Sequence, residues 1–216
     1  MGSLLGDEED IQRRMDLART QFKSLEKIWG YSQKISLRSR LRAYNALVLS
    51  VLLYNAGTWG VNDKVMCKLN VFHRGHLRRI LGIRWPKVIS NEELYKKCNS
   101  KPLNETVKRF RWQLFGHCLR LSLDTPAQLA MNYFCNSYSE SNVDKGRPVT
   151  TLPTVLFNEF HLYKQTLKKS TYRQKSSTAL RELRKIANNR KDWANLVNDV
   201  CSLVKSKEQS NEAEEL

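Results

Sequence analysis

The sequence predicts an all-α protein: a basic multi-helix bundle followed by a smaller helical C-terminal segment. Three observations carry this. Apolar residues recur at steps of three and four along most of the chain, as on one face of a 3.6-residue helix. Helix start and stop residues stand where the periodic segments begin and end. No segment reads convincingly as a strand, and no tandem repeat is visible.

The elements follow in order. Ile11, Met15, Ala18, Phe22, Leu25 and Ile28 form one amphipathic stripe, ended by Gly30. Ser36 is placed to cap a second helix with Leu37, Leu41, Tyr44, Val48, Val51 and Leu52 on one face and Arg38, Arg40 and Arg42 on the other. Toward Tyr54 this helix turns almost wholly apolar, so its second half is expected to be buried. A third helix runs from about Asp63 to Leu81, with Val65, Leu69, Phe72, His76, Leu77 and Ile80 inward. Gly82 caps it, and Trp85-Pro86 predicts an extended exit. Ser90-Asn91-Glu92-Glu93 is a capping-box pattern that starts a short helix ending near Cys98. Pro102 opens the next helix, to about Leu121, and Pro126 another, to about Phe134. Beyond Asn136 to Pro148, rich in Ser, Asn, Asp and Gly, three more helical patterns surround Val155 to Leu167, Thr178 to Ala187 and Asp192 to Val204.

Charge narrows the function. The 216-residue chain has a formal net charge of +16, and between Lys34 and Arg120 18 Lys and Arg stand against 4 Asp and Glu. Such a field favours a polyanionic partner, nucleic acid before an anionic membrane. The acidic run Asp7 to Asp10 reads as a solvated helix start favoured by the helix dipole. Five cysteines without CxxC spacing read as free thiols of an intracellular protein, nuclear or cytoplasmic. No apolar run approaches the roughly 18 residues a membrane span needs. His73, His76, His117 and Cys118, with Cys67 or Cys98, lack the paired spacing of a zinc site. No nucleophile elbow, paired carboxylates or glycine-rich phosphate loop is present. Neither metal nor cofactor is expected.

The chemistry-bearing stretches are His73-Arg74-Gly75-His76-Leu77-Arg78-Arg79-Ile80-Leu81-Gly82-Ile83-Arg84-Trp85 and Arg109-Phe110-Arg111-Trp112-Gln113-Leu114-Phe115-Gly116-His117-Cys118-Leu119-Arg120. Guanidinium groups bind phosphates, while the interleaved Trp and Phe either stack on bases or fill a core. The phosphate-binding candidates are Arg38, Arg40, Arg42, Arg74, Arg78, Arg79, Arg84, Arg109, Arg111 and Arg120, each as a backbone contact without base readout.

These stretches belong to a co-linear series. It begins with Leu41-Arg42-Ala43-Tyr44-Asn45-Ala46-Leu47-Val48, Leu53-Tyr54-Asn55-Ala56-Gly57-Thr58-Trp59 and Phe72-His73. It continues through Ile89-Ser90-Asn91-Glu92-Glu93-Leu94 and Gly146-Arg147-Pro148 to Asn189-Arg190-Lys191-Asp192-Trp193. In this order the patterns resemble the C-terminal part of the reverse transcriptase polyprotein of LINE-type, non-LTR retrotransposons, from roughly Gly2 to Cys201. The family's Tyr-Gly-x-Glu-Thr-Trp stands here as Tyr54-Asn55-Ala56-Gly57-Thr58-Trp59, without the glycine after Tyr54 and without the acidic residue before Thr58.

By this resemblance Ile11 to Trp85 match the polymerase thumb and its continuation, and the rest matches the region beyond. The palm's Tyr-x-Asp-Asp motif and the endonuclease are absent, so no polymerase or nuclease chemistry is expected. The implied organisation is 1–86 as a thumb-like bundle, 87–135 as a basic helical linker-region module and 136–150 as a flexible linker. A C-terminal helical segment, 151–205, and a disordered tail, 206–216, complete it. The implied function is non-catalytic, sequence-independent binding of RNA or an RNA–DNA hybrid, with a protein as a second partner over the exposed thumb face. The alternatives are a helical protein-interaction or regulatory module, and a translated transposon fragment with no selected function.

Overall fold

The structure, a computed structural model, describes residues 2–4, 6–30, 34–137, 150–167 and 176–202. Every regular element among them is helical, as the periodicity predicts. The chain packs as two compact units: Met1–Ala56 with Val61–Val107, and Gly57–Gly60 with Lys108–Leu216. The division falls inside a helix, between Val107 and Lys108. The expected linker, 136–150, lies almost wholly outside the described residues, and the expected tail, 206–216, lies wholly outside them, as does Gly146-Arg147-Pro148.

In the first unit, α1 (Asp7–Ser24) and α2 (Glu26–Gly30) divide what the pattern reads as one helix. The reason lies at Trp29, whose indole stacks on Phe22 at 4.9 Å and donates to the Phe22 carbonyl at 2.9 Å. A side chain thus satisfies one of the carbonyls that the end of α1 leaves open. Asp10, expected in solvent, is buried: it accepts from the Leu4 N–H at 3.0 Å and faces Arg14 at 3.6 Å. The Arg14 guanidinium lies 4.3 Å from the centre of the Tyr54 ring.

Ser36 caps α3 (Leu37–Tyr44) as predicted, accepting from the Ser39 N–H at 3.2 Å. The helix passes through a π-helical turn, Asn45–Leu49, into α4 (Ser50–Leu52). Tyr44, Val48 and Leu52, at steps of four, are fully buried, but Leu47 and Tyr54 remain exposed, so the apolar second half is only one-sided. Asn62 caps α5 (Asp63–Ile80), accepting from the Val65 N–H at 3.1 Å. Gly82, at φ 69°, ends it in a Schellman arrangement, with the Gly82 N–H on the Arg79 carbonyl and the Ile83 N–H on that of Arg78. The predicted extended exit is instead a turn, closed by the Lys87 N–H on the Arg84 carbonyl at 2.9 Å around a cis Trp85–Pro86 bond. Ser90 caps α6 (Asn91–Cys98) through the Glu93 N–H at 3.2 Å, and Asn99 closes it at φ 43°. Ile89, Leu94, Cys98, Leu103 and Val107 are all buried, which ties residues 87–107 to this unit.

The second unit contains most of α7 (Leu103–Leu119), with α8 (Pro126–Ser137), α9 (Leu152–Thr166), α10 (Ser176–Ala187) and α11 (Arg190–Ser202). Its core joins Trp112, Phe115 and Leu119 of α7 to Leu156, Phe157 and Phe160 of α9, Leu180 and Leu183 of α10, and Trp193, Leu196, Val197 and Val200 of α11. Gly116 lets two aromatic-bearing helices meet, because a Cβ there would sit 2.1 Å from the Trp193 Nε1 atom. That indole donates to the Trp112 carbonyl at 3.1 Å.

Candidate nucleic-acid interface

Two arginines predicted at phosphates are withdrawn from solvent. Arg40 is 6% exposed and donates to the Ile80 carbonyl, at the C-terminal end of α5. There the guanidinium meets the negative end of the helix dipole. Arg111 is 4% exposed and donates to Glu159 Oε1 at 2.7 Å, while its neighbour Trp112 donates to Oε2 of the same carboxylate at 2.6 Å. The Arg-Trp pair that suggested nucleic acid holds α7 to α9. Trp112, Phe115 and Leu119 lie in the core, which resolves their stacking-or-core alternative toward the core.

The remaining candidates reach solvent. On the first unit, Arg38 and Arg42 are exposed on α3 and Arg79 on α5, with Arg84 in the turn that follows. Arg74 and Arg78 are half-buried, and Arg78 donates to Asn91 Oδ1 at 2.9 Å. The outer face of α5 also presents Lys64 and Lys68, and no carboxylate follows Asp63 in the helix.

On the second unit, α7 and α11 enclose a groove of about 390 Å³. Arg109, Gln113, His117 and Arg120 line one side, and Arg190, Ala194 and Asn198 the other, with Trp193 and Val197 in the floor. No carboxylate lines it. Arg109 donates to Asn198 Oδ1 at 2.7 Å, and Arg120 to the Ala187 carbonyl at 3.3 Å, so both guanidinium groups are held in place. His117 is exposed here. The motif reading missed Gln113, His117, Arg190 and Asn198. Residues 109, 113, 117 and 120 share one helical face, as do 190, 194 and 198, so each row is readable. Their pairing is not.

The buried His73 shares 2.8 Å and 3.2 Å hydrogen bonds with the Tyr44 hydroxyl and Ser100 Oγ, while His76 stacks on Phe22 at 4.0 Å. Desolvation first, then nearby arginines, lowers both imidazoles to about 4. None of the five cysteines is in a disulfide, and burial raises the thiols of Cys98 and Cys118 and pushes Cys135 up to about 11. Among the described residues no three His, Cys, Asp or Glu side chains converge as a metal site. No helix there is long and apolar enough to cross a membrane. No family model, curated protein or solved structure matches the chain.

Proposed function

We propose that this chain binds RNA or an RNA–DNA hybrid without regard to sequence and without catalysis, as a remnant of a retrotransposon reverse transcriptase. The observation that carries the reading is the outer face of α5, where Lys64, Lys68, Arg74, Arg78 and Arg79 follow one another with no carboxylate after Asp63. The carboxylate-free groove of Arg109, Arg120 and Arg190 supports the same reading in the second unit. Each cation that neutralises a phosphate releases a counterion, so affinity falls steeply with salt.

The test is fluorescence anisotropy with single-stranded RNA, hybrid and duplex across a salt series. Exchanging Arg38, Arg42, Arg79 or Arg190 for Gln lowers the logarithmic salt slope by about 0.7 to 0.9 for each phosphate that is no longer neutralised. Arg40→Gln and Arg111→Gln lower stability and leave the slope of the folded protein unchanged. An affinity independent of salt rules the reading out.

A second reading, a helical protein-interaction module, is favoured by Leu129 and Tyr133, one turn apart on α8 and 55% and 75% exposed. Such solvent-facing apolar pairs suit a partner helix.

A further inference from the structure

We propose that the turn from Arg84 to Val88 is a stacking platform for an unpaired base, which makes single-stranded RNA or DNA the preferred ligand of the first unit. The inference rests on the nucleic-acid-binding reading above and adds the strand form to it.

Trp85 and Val88 are each 90% exposed, the highest values among the large apolar residues described. The other four tryptophans are buried, Trp29 being the most open at 7%. Among the described residues the Trp85 ring makes no ring contact and its indole N–H no hydrogen bond. A large flat apolar ring held in water is the costly arrangement, since burying apolar surface is favourable by about 25 cal/mol per Å².

The turn is fixed at both ends. On the near side, the Schellman closure of α5 sets the chain direction at Gly82 and Ile83. On the far side, Ile89 is 8% exposed and Ser90 caps α6. Arg78 bridges the two flanking helices through Asn91. Between these anchors the Lys87 N–H to Arg84 carbonyl bond, at 2.9 Å, closes a four-residue turn. Such a turn keeps the Cα atoms of its first and last residues within about 7 Å of each other. Arg84 and Lys87 therefore flank Trp85 as two neighbouring exposed cations, and Arg79 stands exposed at the end of the preceding helix. Glu92, the nearest exposed acid along the chain with no ion pair shown, lies one helix cap away on α6.

An exposed ring between two cations matches one ligand chemistry: a π-face joined to phosphates. Base–aromatic stacking with a basic track is how proteins hold single strands without reading sequence. In a duplex the base faces are already stacked on one another, so Trp85 contributes nothing there and only Arg84 and Lys87 act. The charge around the ring is the reason to choose a nucleic acid over an apolar protein surface.

The test uses the full chain with a uridine 12-mer, an RNA duplex and an RNA–DNA hybrid. Because only Trp85 is exposed, the acrylamide-quenchable, red-shifted emission belongs to it. That emission falls on adding the 12-mer and not on adding either duplex form. Trp85→Ala lowers affinity for the 12-mer roughly five- to a hundredfold, changes duplex and hybrid affinity less than about twofold, and Trp85→Phe restores most of the loss. An unchanged 12-mer affinity in Trp85→Ala, equal losses on all three ligands, or no recovery in Trp85→Phe overturns the inference. So does concentration-dependent self-association of the free protein that Trp85→Ala abolishes. If no ligand binds with salt dependence, the function proposed above fails. If salt-dependent binding persists but ignores Trp85, only the stacking platform fails.

Discussion

The two units solve the same problem, a helical core in a highly basic chain, with different chemistry. The first has a polar seam through its interior. Tyr44, His73 and Ser100 share hydrogen bonds, Asn70 accepts from the Leu103 N–H at 2.8 Å and donates to Asn104 at 2.5 Å, and Arg40 reaches the Ile80 carbonyl. The second has a ring cluster, with Trp112 within 5.7 to 6.5 Å of Phe115, Phe160 and Trp193, and a polar network packed beside it. There Glu159 meets Arg111 and Trp112, and Arg184 donates to Gln128 and Asn132 at 2.6 and 2.7 Å. A buried polar seam is costly unless every member is paired, and it couples the fold to protonation. An apolar ring cluster stabilises through burial, indifferent to pH.

The largest test of this contrast is Trp112→Ala. Removing a fully buried tryptophan and the donor it offers Glu159 costs about 3–5 kcal/mol in urea unfolding at neutral pH. A loss below about 1 kcal/mol would mean that the ring cluster is not the source of the second unit's stability.

Acid sharpens the contrast next. His73 and His76 are neutral when folded, with pKa values lowered to about 4, whereas an unfolded histidine takes up its proton near 6.5. Between those values the unfolded chain binds more protons. The stability is therefore fully present above about pH 6.5 and is lost as pH falls toward 4, at up to about 1.4 kcal/mol per pH unit for each imidazole. His76→Phe keeps a ring against Phe22, removes a buried Nδ1 that lacks a hydrogen-bond partner, and flattens the profile. Hydrogen exchange at several pH values, corrected for intrinsic rates, shows α5 losing protection before α11. Equal losses in both helices break the comparison.

The smallest expected effect is that of Gly116→Ala. Its Cβ would stand 2.1 Å from Nε1 of Trp193, part of a rigid ring, so α7 and α11 must separate slightly at a cost of about 1–3 kcal/mol. A thermal melt reads it directly. An unshifted midpoint would show that the helices are not in close contact there.

Periodicity alone determined the helical class and nearly every helix, and the local caps at Ser36, Gly82 and Ser90 could be read for the same reason: they depend on neighbours in the chain. Charge density along the chain also marked the solvent faces of α3 and α5. Tertiary structure decided which arginines face water. Arg38 and Arg40 differ by two positions, yet one is exposed and the other serves the end of α5, because the Ile80 carbonyl comes from a helix forty residues away. Arg109 and Arg111 divide in the same way, one at the α7–α11 groove and one on Glu159. Trp85 and Trp112 look alike as letters beside arginines. Only the partner surfaces leave the first in water and put the second in the core, since burial is a property of what packs against a residue and a linear pattern does not contain it.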